Sequence, residues 1–406
     1  MTPARDRYDV IVIGAGIAGV AIAERLARCA SECGRRLRLL VVDGAPSVGA
    51  GASRGLQGWY HSGALYGRLE SAVSRVTCPD SMRLLERHYK PSSDWFGESI
   101  DFLVDGTNDP AWDRVNRALR SSASGPIIEL ADGGYRMPTP DLAMRTDAIL
   151  RDLSASAAVR GVEFALQCTA RGDGDGRTVV TDRSGERRTL SAQLTIFTVG
   201  HHLAEHVREL DLRSGVVVSV APALDCPSVV RIARDPAANV SHIRLRSLRG
   251  ASFSAIVDST VLPIDVSRDD ERRAAVRTLE KAVLQFSRDL FSSRRVAWHV
   301  SQKADPVAEG RDGRVFSPRL FTLGAGMIGL IPSKFSLFPM VGEMVMSHIA
   351  ADGLIGRRSR GESEPRPIPP VAPMLASELL GLEKSAVHET RDAGQFELLA
   401  ASVPGE

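Results

Sequence analysis

Lysine and cysteine are both scarce in this chain of 406 residues. Only five of its 51 basic residues are lysine, and because 49 acidic residues oppose the basic ones, the net charge is +2. A chain whose main partner is nucleic acid usually carries a clear basic excess, so this charge gives no support for such a partner. The five cysteines are odd in number and mostly scattered, which disfavours a disulfide framework and predicts a reducing, cytoplasmic location.

Long apolar runs are absent as well. No segment has the uninterrupted apolar length that crosses a bilayer, so no transmembrane segment is expected. A hydrophobic fraction of 43% and a charged fraction of 25% are ordinary for a globular enzyme and exclude disordered and collagen-like chains. The length predicts two or three domains, or one large domain with an insert.

The strongest local pattern lies near the N-terminus. Residues 8–13 form a short apolar run typical of a strand buried on both faces, and a glycine-rich turn and a helical pattern follow at once. A second buried strand over 37–42 ends in an acid. Glycines in such a turn let backbone N–H groups approach a pyrophosphate at a helix N-terminus, and the acid accepts hydrogen bonds from a ribose. The pattern therefore predicts a dinucleotide site made of Gly14, Ala15, Gly16, Ile17, Ala18, Gly19 and Asp43.

The segment after Asp43 indicates which dinucleotide is bound. Residues 49–66 are rich in glycine and small side chains and have no regular period, which is typical of a loop that wraps a ligand. Here the sequence resembles the FAD-dependent oxidoreductases of the D-amino-acid oxidase and glycerol-3-phosphate dehydrogenase type. In that family a small-Ser stretch crosses the pyrophosphate and a His-x-Gly element lies near the flavin ring, and Ser53 and His61 match those positions. The resemblance implies FAD as the cofactor, with contacts that include Gly44, Ser53 and Arg54.

The resemblance extends along most of the chain. A strand over 99–105 followed by a helix is similar to the family's excursion from the nucleotide domain. The segment over 137–176 is similar to its return, with Ala170 where adenine contacts are common, and a later buried strand ends in Gly200, where the family places a glycine near the cofactor. Near the C-terminus a strand runs into a glycine-spaced turn and a helix, which in the family lie along the flavin pyrimidine. The turn residues implied as contacts are Gly324, Gly326, Met327, Ile328 and Gly329.

The implied fold is α/β. A Rossmann-like FAD-binding domain is interrupted by a discontinuous α+β substrate domain built on an antiparallel sheet. A strongly helical pattern over 268–289 is assigned to the substrate domain. The last fifty residues begin as a charged, proline-rich linker. A mobile or surface-docked segment is favoured for the tail after it, and the alternative is an oligomer or partner contact. The predicted division is 1–90, 141–210 and 311–356 for the FAD-binding domain, 91–140 and 211–310 for the substrate domain, and 357–406 for the linker and tail.

The resemblance also implies the chemistry. An FAD enzyme of this type removes a hydride from a carbon that bears an amine or hydroxyl group, while the protein orients the substrate and handles a proton. We therefore expect an FAD-dependent oxidase or dehydrogenase that acts on a small amine, amino acid or hydroxy acid. The alternative is an FAD-binding subunit or scaffold without catalysis of its own.

Histidines are the candidate reactive groups. His61 is the candidate catalytic residue; it could act as a base or tune the ring, carry a covalent flavin link, or be structural. The adjacent pair His201 and His202 has no cysteine or carboxylate at ligand spacing, so no metal site is expected, and a structural role is favoured.

Two departures from the family pattern concern the substrate. Glycine-oxidase-like members place an arginine in the terminal turn, where this chain has Met327. Sarcosine-oxidase-like members place a lysine just after that turn, whereas here Lys334 comes later. Glycine and sarcosine are therefore expected to be poor substrates, and a bulkier or less polar one is expected. Arg244, Arg246 or Arg249 could replace the lost anchor.

Overall fold

The structure is a computed structural model, and it describes residues 3–55, 57–68, 72–89, 91–106, 110–173, 176–235, 239–247, 250–258, 295–307 and 316–351. The helices are α1 (Ile17–Glu32), α2 (Ala72–His88), α3 (Pro110–Arg120), α4 (Thr146–Val159) and α5 (Phe338–Ala351). The strands are β1 (Arg7–Ile13), β2 (Leu39–Asp43), β3 (Trp59–Tyr60), β4 (Phe96–Val104), β5 (Ile128–Glu129), β6 (Tyr135–Met144), β7 (Glu163–Leu166), β8 (Thr169–Gly172), β9 (Arg177–Thr181), β10 (Arg187–Phe197), β11 (Leu210–Ala221), β12 (Val229–Ile232), β13 (Val240–Arg246), β14 (Ser252–Asp258), β15 (Arg295–Pro306), β16 (Arg319–Gly324) and β17 (Met327–Ile331).

The first sheet has the strand order β16-β17-β10-β1-β2-β7, and β9 and β8 extend it from β10. β1 pairs in parallel with β2 on one side and with β10 on the other, so that Ile13 lies beside Val42 and Phe197. Side chains alternate along a strand, and accordingly Val10 of β1 joins one core cluster while Ile11 joins the other. The strand predicted to be buried on both faces is confirmed.

Three helices, α1, α4 and α5, pack through the core cluster on one face of this sheet. Gly342 lets α5 approach α1 closely, because a Cβ there would lie 3.2 Å from the Cβ of Arg25. The buried Arg25 also forms an ion pair with the partly exposed Glu343, with Nε and Oε1 2.6 Å apart. These contacts join the middle of α1 to the first half of α5. Of the helices in the described residues, none has the length and apolar character needed to span a membrane.

Parallel pairing brings the carboxyl ends of β1, β2, β10 and β17 to one edge of the sheet. Gly14 follows β1, Asp43 closes β2, Thr198 follows β10 and Pro332 follows β17. In open α/β sheets, ligands bind in the crevice outside these ends. Four segments that are distant in sequence therefore meet where a site is expected.

The second sheet has the order β15-β11-β14-β13-β12-β4-β6-β3, with β5 paired to β6. Its described pairs are antiparallel except for β12 with β4. α3 packs on it through Trp112 and Leu119, which join Phe102 and Tyr135 in a buried cluster. The predicted fold class, a nucleotide-binding α/β unit combined with a largely antiparallel sheet, is confirmed.

The predicted domain limits follow these sheets only in part. The limit at 140/141 falls inside β6, which continues to pair with β3 and β4 as far as Met144. β3 lies within 1–90 but belongs to the second sheet. A limit after Met144 follows the hydrogen bonding better, and the division remains a proposal. The helix predicted over 268–289 and the tail over 357–406 lie outside the described residues.

The terminal glycine-spaced segment differs from its prediction. β16 ends at Gly324 and β17 begins at Met327, so the turn expected to lead into a helix is the turn of a β-hairpin. Because β17 runs parallel to β10, this turn lies at the opposite end of β17 from the carboxyl edge. The apolar run that continues to Ile331 adds a buried strand to the sheet, although its glycine suggested a turn. The segment that reaches the edge before α5 is 332–337.

Candidate active site

A cleft of about 1550 Å³ opens at the carboxyl edge of the first sheet. Pockets for single small molecules usually measure about 300–1,000 Å³, so this space suits a dinucleotide together with a second ligand. Its walls come from the turn after β1, the end of β2, residues 50–55 and 57–61, β8, and the segments 197–206 and 331–336.

The turn after β1 has no room for side chains. Gly14 has a φ of 106°, and a Cβ there would lie 2.5 Å from the backbone oxygen of Thr198. A Cβ at Gly19 would lie 1.9 Å from the backbone oxygen of Gly14, so α1 can pack here only with a bare backbone. Thr198 Oγ1 lies 3.0 Å from the backbone oxygen of Ile13 and 2.9 Å from that of Gly14, within reach of either as a donor. The end of β10 thereby ties down the turn.

The N-terminus of α1 faces the cleft. Gly16 is its N-cap and supplies no side-chain hydrogen bond, while the N–H of Ile17 donates to Ser53 Oγ at 3.0 Å. Gly16, Ile17, Ala18 and Ser53 all line the cleft. The N–H groups of a first helical turn and the helix dipole together favour an anion, and phosphate is the usual one.

Asp43 supports the same turn from β2. Its Oδ2 accepts a hydrogen bond from the N–H of Ala15 at 2.6 Å, and its Oδ1 accepts one from the N–H of Ala45 at 2.7 Å. Each oxygen of an ionised carboxylate can accept a further hydrogen bond. Asp43 is half-buried and lines the cleft, so it can still accept a hydroxyl group of a ligand.

Arg54 places a cation in the loop that follows Ser53. It lines the cleft, and its Nη2 donates to the backbone oxygen of Val48 at 2.7 Å. Burial lowers the pKa of Arg54 and the nearby Asp147 carboxylate opposes that shift, but a guanidinium remains charged at neutral pH. This charge complements an anionic ligand at α1.

One region of the cleft, termed the Asp43 end, consists of Asp43, Gly44, β8 and the 3₁₀ helix Gly200–Glu205. Gly44 lies against β8, because a Cβ there would be 3.7 Å from Cγ2 of Thr169. The predicted cofactor contacts that line this end are Gly44, Gly200 and Ala170, of which the family resemblance assigns Ala170 to the adenine side.

A second region, termed the His61 end, consists of Trp59, His61 and the segment 332–336. That segment follows β17, on the other side of β1 and β10 from Asp43 in the sheet order. His61 is 8% exposed, and its ring centroid lies 4.0 Å from that of Trp59. Its Nδ1 is 3.4 Å from Tyr66 Oη and its Nε2 is 3.5 Å from Lys334 Nζ. Both ring nitrogens of His61 therefore face a polar group.

Lys334 is held among aromatic rings. Its Nζ lies 4.5 Å from the ring centroid of Phe316 and 5.1 Å from that of Tyr66, both within cation–π range. The preceding Ser333 has a φ of 62°, which is uncommon for a residue with a side chain and turns the chain sharply after β17. The result is a positive charge at a defined place in the cleft wall.

Asp141 holds the loop that carries His61. It is fully buried on β6 and accepts hydrogen bonds from Trp59 Nε1 at 2.7 Å, from the N–H of Ser62 at 2.8 Å and from the Ser62 hydroxyl. Burial raises the pKa of Asp141, whereas the hydrogen bonds from Ser62 and Trp59 and the charge of Lys334 oppose that shift. The conformation of residues 59–62 therefore depends on one carboxyl group.

The structure brings most of the predicted site residues to one cleft, but of those predicted on the terminal hairpin only Met327 lines it. Ala15 and Gly19 lie behind the turn that they shape. Met327 lines the Asp43 end, where a Cβ at Gly172 would be 3.0 Å from its Sδ. The expectation that Met327 stands where relatives place a substrate-binding arginine stays a prediction, as does the poor use of glycine and sarcosine that follows from it. The hairpin residues that do not line the cleft are Gly324, Gly326, Ile328 and Gly329.

Sequence reasoning did not assign Thr198, Asp141 or Tyr66. Thr198 is the polar residue between an apolar strand and Gly200, and Asp141 is the acid in an alternating strand. Both residues stand out in the sequence, but the residues that they contact lie far away along the chain. Of the three arginines offered as substrate anchors, Arg244 and Arg246 lie on β13 of the second sheet, whereas residue 249 is outside the described part of the chain.

The donors in the cleft fit a dinucleotide. Bare glycine backbone and the N-terminus of α1 offer N–H groups to a pyrophosphate, and Asp43 offers an acceptor at the end of the neighbouring strand. The fold and the cleft together define a dinucleotide-binding α/β protein.

The family comparison identifies the dinucleotide. Residues 9–301 match the family model DAO, described as FAD dependent oxidoreductase. The match covers more than half of the chain, so the chain belongs to this family. It is an FAD-dependent oxidoreductase, and its cofactor is FAD. Among curated proteins, none is significantly similar in sequence.

Solved structures share the fold. An FAD dependent oxidoreductase from Pseudomonas aeruginosa is 18% identical, with a TM-score of 0.59 over 91% of this chain and 98% of its own. Glycine oxidase from Geobacillus kaustophilus is 18% identical, with a TM-score of 0.60 over 86% and 95%. L-Proline dehydrogenase from P. horikoshii is 14% identical, with a TM-score of 0.59 over 86% and 94%.

Proposed function

We propose that this enzyme oxidises a small molecule in which an amine or hydroxyl group lies next to a carboxylate, that is, an amino acid or a hydroxy acid. The observation that carries the proposal is the pair of Lys334 and His61 in the cleft wall, with Nζ and Nε2 3.5 Å apart. Lysine offers a positive charge for the carboxylate, and a neutral imidazole offers a proton acceptor.

The orientation of FAD follows from the order of groups along the cleft. The pyrophosphate is proposed to lie at the N-terminus of α1, the adenosine at the Asp43 end, and the flavin ring at the His61 end. The loop after Ser53 supports this orientation, because it continues from the helix N-terminus to His61. The proposed contacts of FAD are Gly14, Gly16, Ile17, Ala18, Asp43, Gly44, Ser53, Arg54, Ala170 and Gly200.

The chain's own residues then have distinct tasks. Bound FAD supplies the acceptor for the hydride that leaves the substrate carbon. Lys334 binds the carboxylate and so places the C–N or C–O bond beside His61. His61 Nε2 accepts the N–H or O–H proton, which leaves an imine or a carbonyl compound as product. Tyr66 Oη, 3.4 Å from Nδ1, orients the imidazole ring.

Two further observations support this proposal. Several structural neighbours are named for substrates that combine nitrogen and carboxylate, namely glycine oxidase, iminodiacetate oxidase and L-proline dehydrogenase. A reducing, cytoplasmic setting is proposed as well, because the cysteines at 29, 33, 78, 168 and 226 form no disulfide with one another.

The test is anaerobic reduction of the holoprotein by a panel of amino acids, secondary amines and hydroxy acids. The loss of the flavin absorbance measures the reduction. Bleaching by at least one carboxylate-bearing compound is expected. Lys334→Met should raise the KM for that compound about tenfold to a hundredfold, because a charge-assisted contact contributes about 1.5–3 kcal/mol, and Lys334→Arg should restore part of the loss. Bleaching only by compounds without a carboxylate would contradict the proposed substrate class.

His61→Ala tests the proposed proton acceptor. The variant should keep FAD and slow flavin reduction by about 10²–10⁴-fold, the usual range for general acid–base catalysis. Acid precipitation of the wild type distinguishes a covalent link, because only a linked flavin stays with the polypeptide. Normal reduction in the variant removes His61 from the mechanism, and loss of stability without a specific defect in reduction assigns it a structural role.

A further inference from the structure

The Asp43 end of the cleft is lined by imidazole rings. The 3₁₀ helix Gly200–Glu205 begins directly after β10 with Gly200 in the left-handed region at a φ of 60°. It turns His201 and His202 to the cleft wall, and His206 follows at its end. Three imidazoles therefore line the part of the cleft proposed above for the adenosine, and none of them has yet been given a role.

Contacts across this region show that β8 and the imidazoles share one end of the cleft. A Cβ at Gly172, the last residue of β8, would lie 3.4 Å from Cζ of Phe197. The ring of Phe197 in turn lies 6.2 Å from the ring of His206. The residues of β8 and the rings of Phe197, His201, His202 and His206 therefore line the same cleft. A flat heteroaromatic ring is the ligand chemistry that such walls suit.

His201 is the imidazole best prepared to meet a flat ring. It is half-buried, and its ring centroid lies 4.1 Å from that of His202 with the planes 35° apart. His202 is exposed, but its Nδ1 lies 2.9 Å from Glu205 Oε1, so the carboxylate restrains it. Burial lowers the pKa of His201, and the neighbouring His202 adds to that shift, which keeps the ring uncharged at neutral pH.

We propose that His201 stacks on the adenine of FAD, with Glu205 and His202 positioning the imidazole from behind. Every base has a π face, and stacking on an aromatic side chain needs only a ring held at the correct place. The proposal rests on the assignment of the Asp43 end to the adenosine, made above. It gives the paired histidines a binding role in place of the structural one that the sequence favoured.

The test is the release of FAD from the holoprotein after dilution. The rise in the fluorescence of free flavin measures the release. His201→Ala should weaken FAD binding about fivefold to a hundredfold, the range that stacking contributes per base. His201→Phe should restore tight binding, because it keeps a flat ring. His202→Ala is the matched control and should cause a smaller loss, since that ring supports His201 and does not meet the adenine.

The outcomes distinguish a failure of the proposed stacking from a failure of the proposed orientation of FAD. Asp43→Asn should also speed FAD release if the adenosine lies at this end. Fast release from Asp43→Asn with wild-type release from His201→Ala would overturn the stacking role alone. Wild-type release from both variants would overturn the orientation and the stacking together, and release from His201→Phe as fast as from His201→Ala would exclude an aromatic contact. If the flavin proves to be covalently linked through His61, the same comparison is made in the His61→Ala background, where FAD can leave.

Discussion

The phosphate turn and the His61 end of the cleft are built by different means. At the phosphate turn next to the Asp43 end, backbone groups from consecutive elements β1, α1 and β2 form the surface, and glycines are required because carbonyl oxygens occupy the space of any side chain. At the His61 end, the working groups are side chains from β3, β6 and the segment after β17, and a buried carboxyl group holds them. The phosphate turn depends on backbone shape, whereas the His61 end depends on long-range side-chain contacts.

The largest effect is expected where the shape of the turn is changed. Gly19→Ala places a Cβ 1.9 Å from the backbone oxygen of Gly14, and neither backbone can yield without moving α1 from β1. We expect a loss of about 3 kcal/mol or more in the free energy of unfolding, at the upper end of overpacking costs, and loss of FAD. Chemical denaturation and the flavin content of the purified protein measure both.

Gly16→Ala is the matched control for this turn. Its Cβ would lie 3.2 Å from Ser53 Oγ, a side-chain atom that can rotate away, so stability should change by less than about 1 kcal/mol. FAD binding should still fall sharply, because the new methyl group faces the proposed pyrophosphate site. If Gly19→Ala were as stable as Gly16→Ala, the turn would be less constrained than the geometry indicates.

A smaller effect is expected at the carboxyl group that organises the His61 end. Asp141→Ala leaves the Trp59 indole N–H and both donors of Ser62 without their acceptor in a buried place. We expect a loss of about 2–3 kcal/mol in the free energy of unfolding, since buried unsatisfied donors cost about 1–3 kcal/mol each and the cavity allows some relaxation. Denaturant unfolding measures it, and an unchanged unfolding midpoint would contradict the role given to Asp141.

The pH dependence of Asp141→Asn sharpens this point. Because the pKa of Asp141 is raised in the folded protein, the fold binds this proton more tightly than the unfolded chain does. Its contribution to stability is therefore fully present below the unfolded pKa of 3.8 and is lost as pH rises through the higher folded value. An asparagine does not titrate, so the cost of Asp141→Asn should be larger near pH 4 than near pH 7. If Asp141→Asn cost more stability near pH 7 than near pH 4, the folded protein would lower the pKa of Asp141 and not raise it.

The same contrast explains what could be predicted from the sequence. The phosphate turn follows from the order of strand, Gly14 to Gly19, helix and acid, because all of its groups lie within about one βαβ unit. The sequence places Lys334 several residues later than the lysine of sarcosine-oxidase-like members. The pattern does not assign it to the cleft wall, because the glycines before Ile331 predict a turn and not a strand. Asp141 could not be paired with Ser62 in advance, because the contact depends on how β6 is aligned against β3. Local backbone patterns carry over to the fold, whereas contacts between distant side chains require the tertiary structure.

The smallest effect is expected at Thr198, where a side chain contacts the backbone of the glycine turn. Thr198→Val keeps the shape but removes the hydroxyl that lies 2.9 Å from the backbone oxygen of Gly14, whereas Ile13 still receives the backbone N–H of residue 198. We expect a loss of about 1 kcal/mol in stability and a several-fold faster release of FAD, because the glycine turn loses one restraint. Thr195→Val on the same strand is the control: it removes a buried contact with Thr178 at 3.3 Å, away from the cleft wall, so it should lower stability to a similar degree and leave FAD release unchanged. Equal release from both variants would show that the hydroxyl of Thr198 stabilises the strand and not the turn.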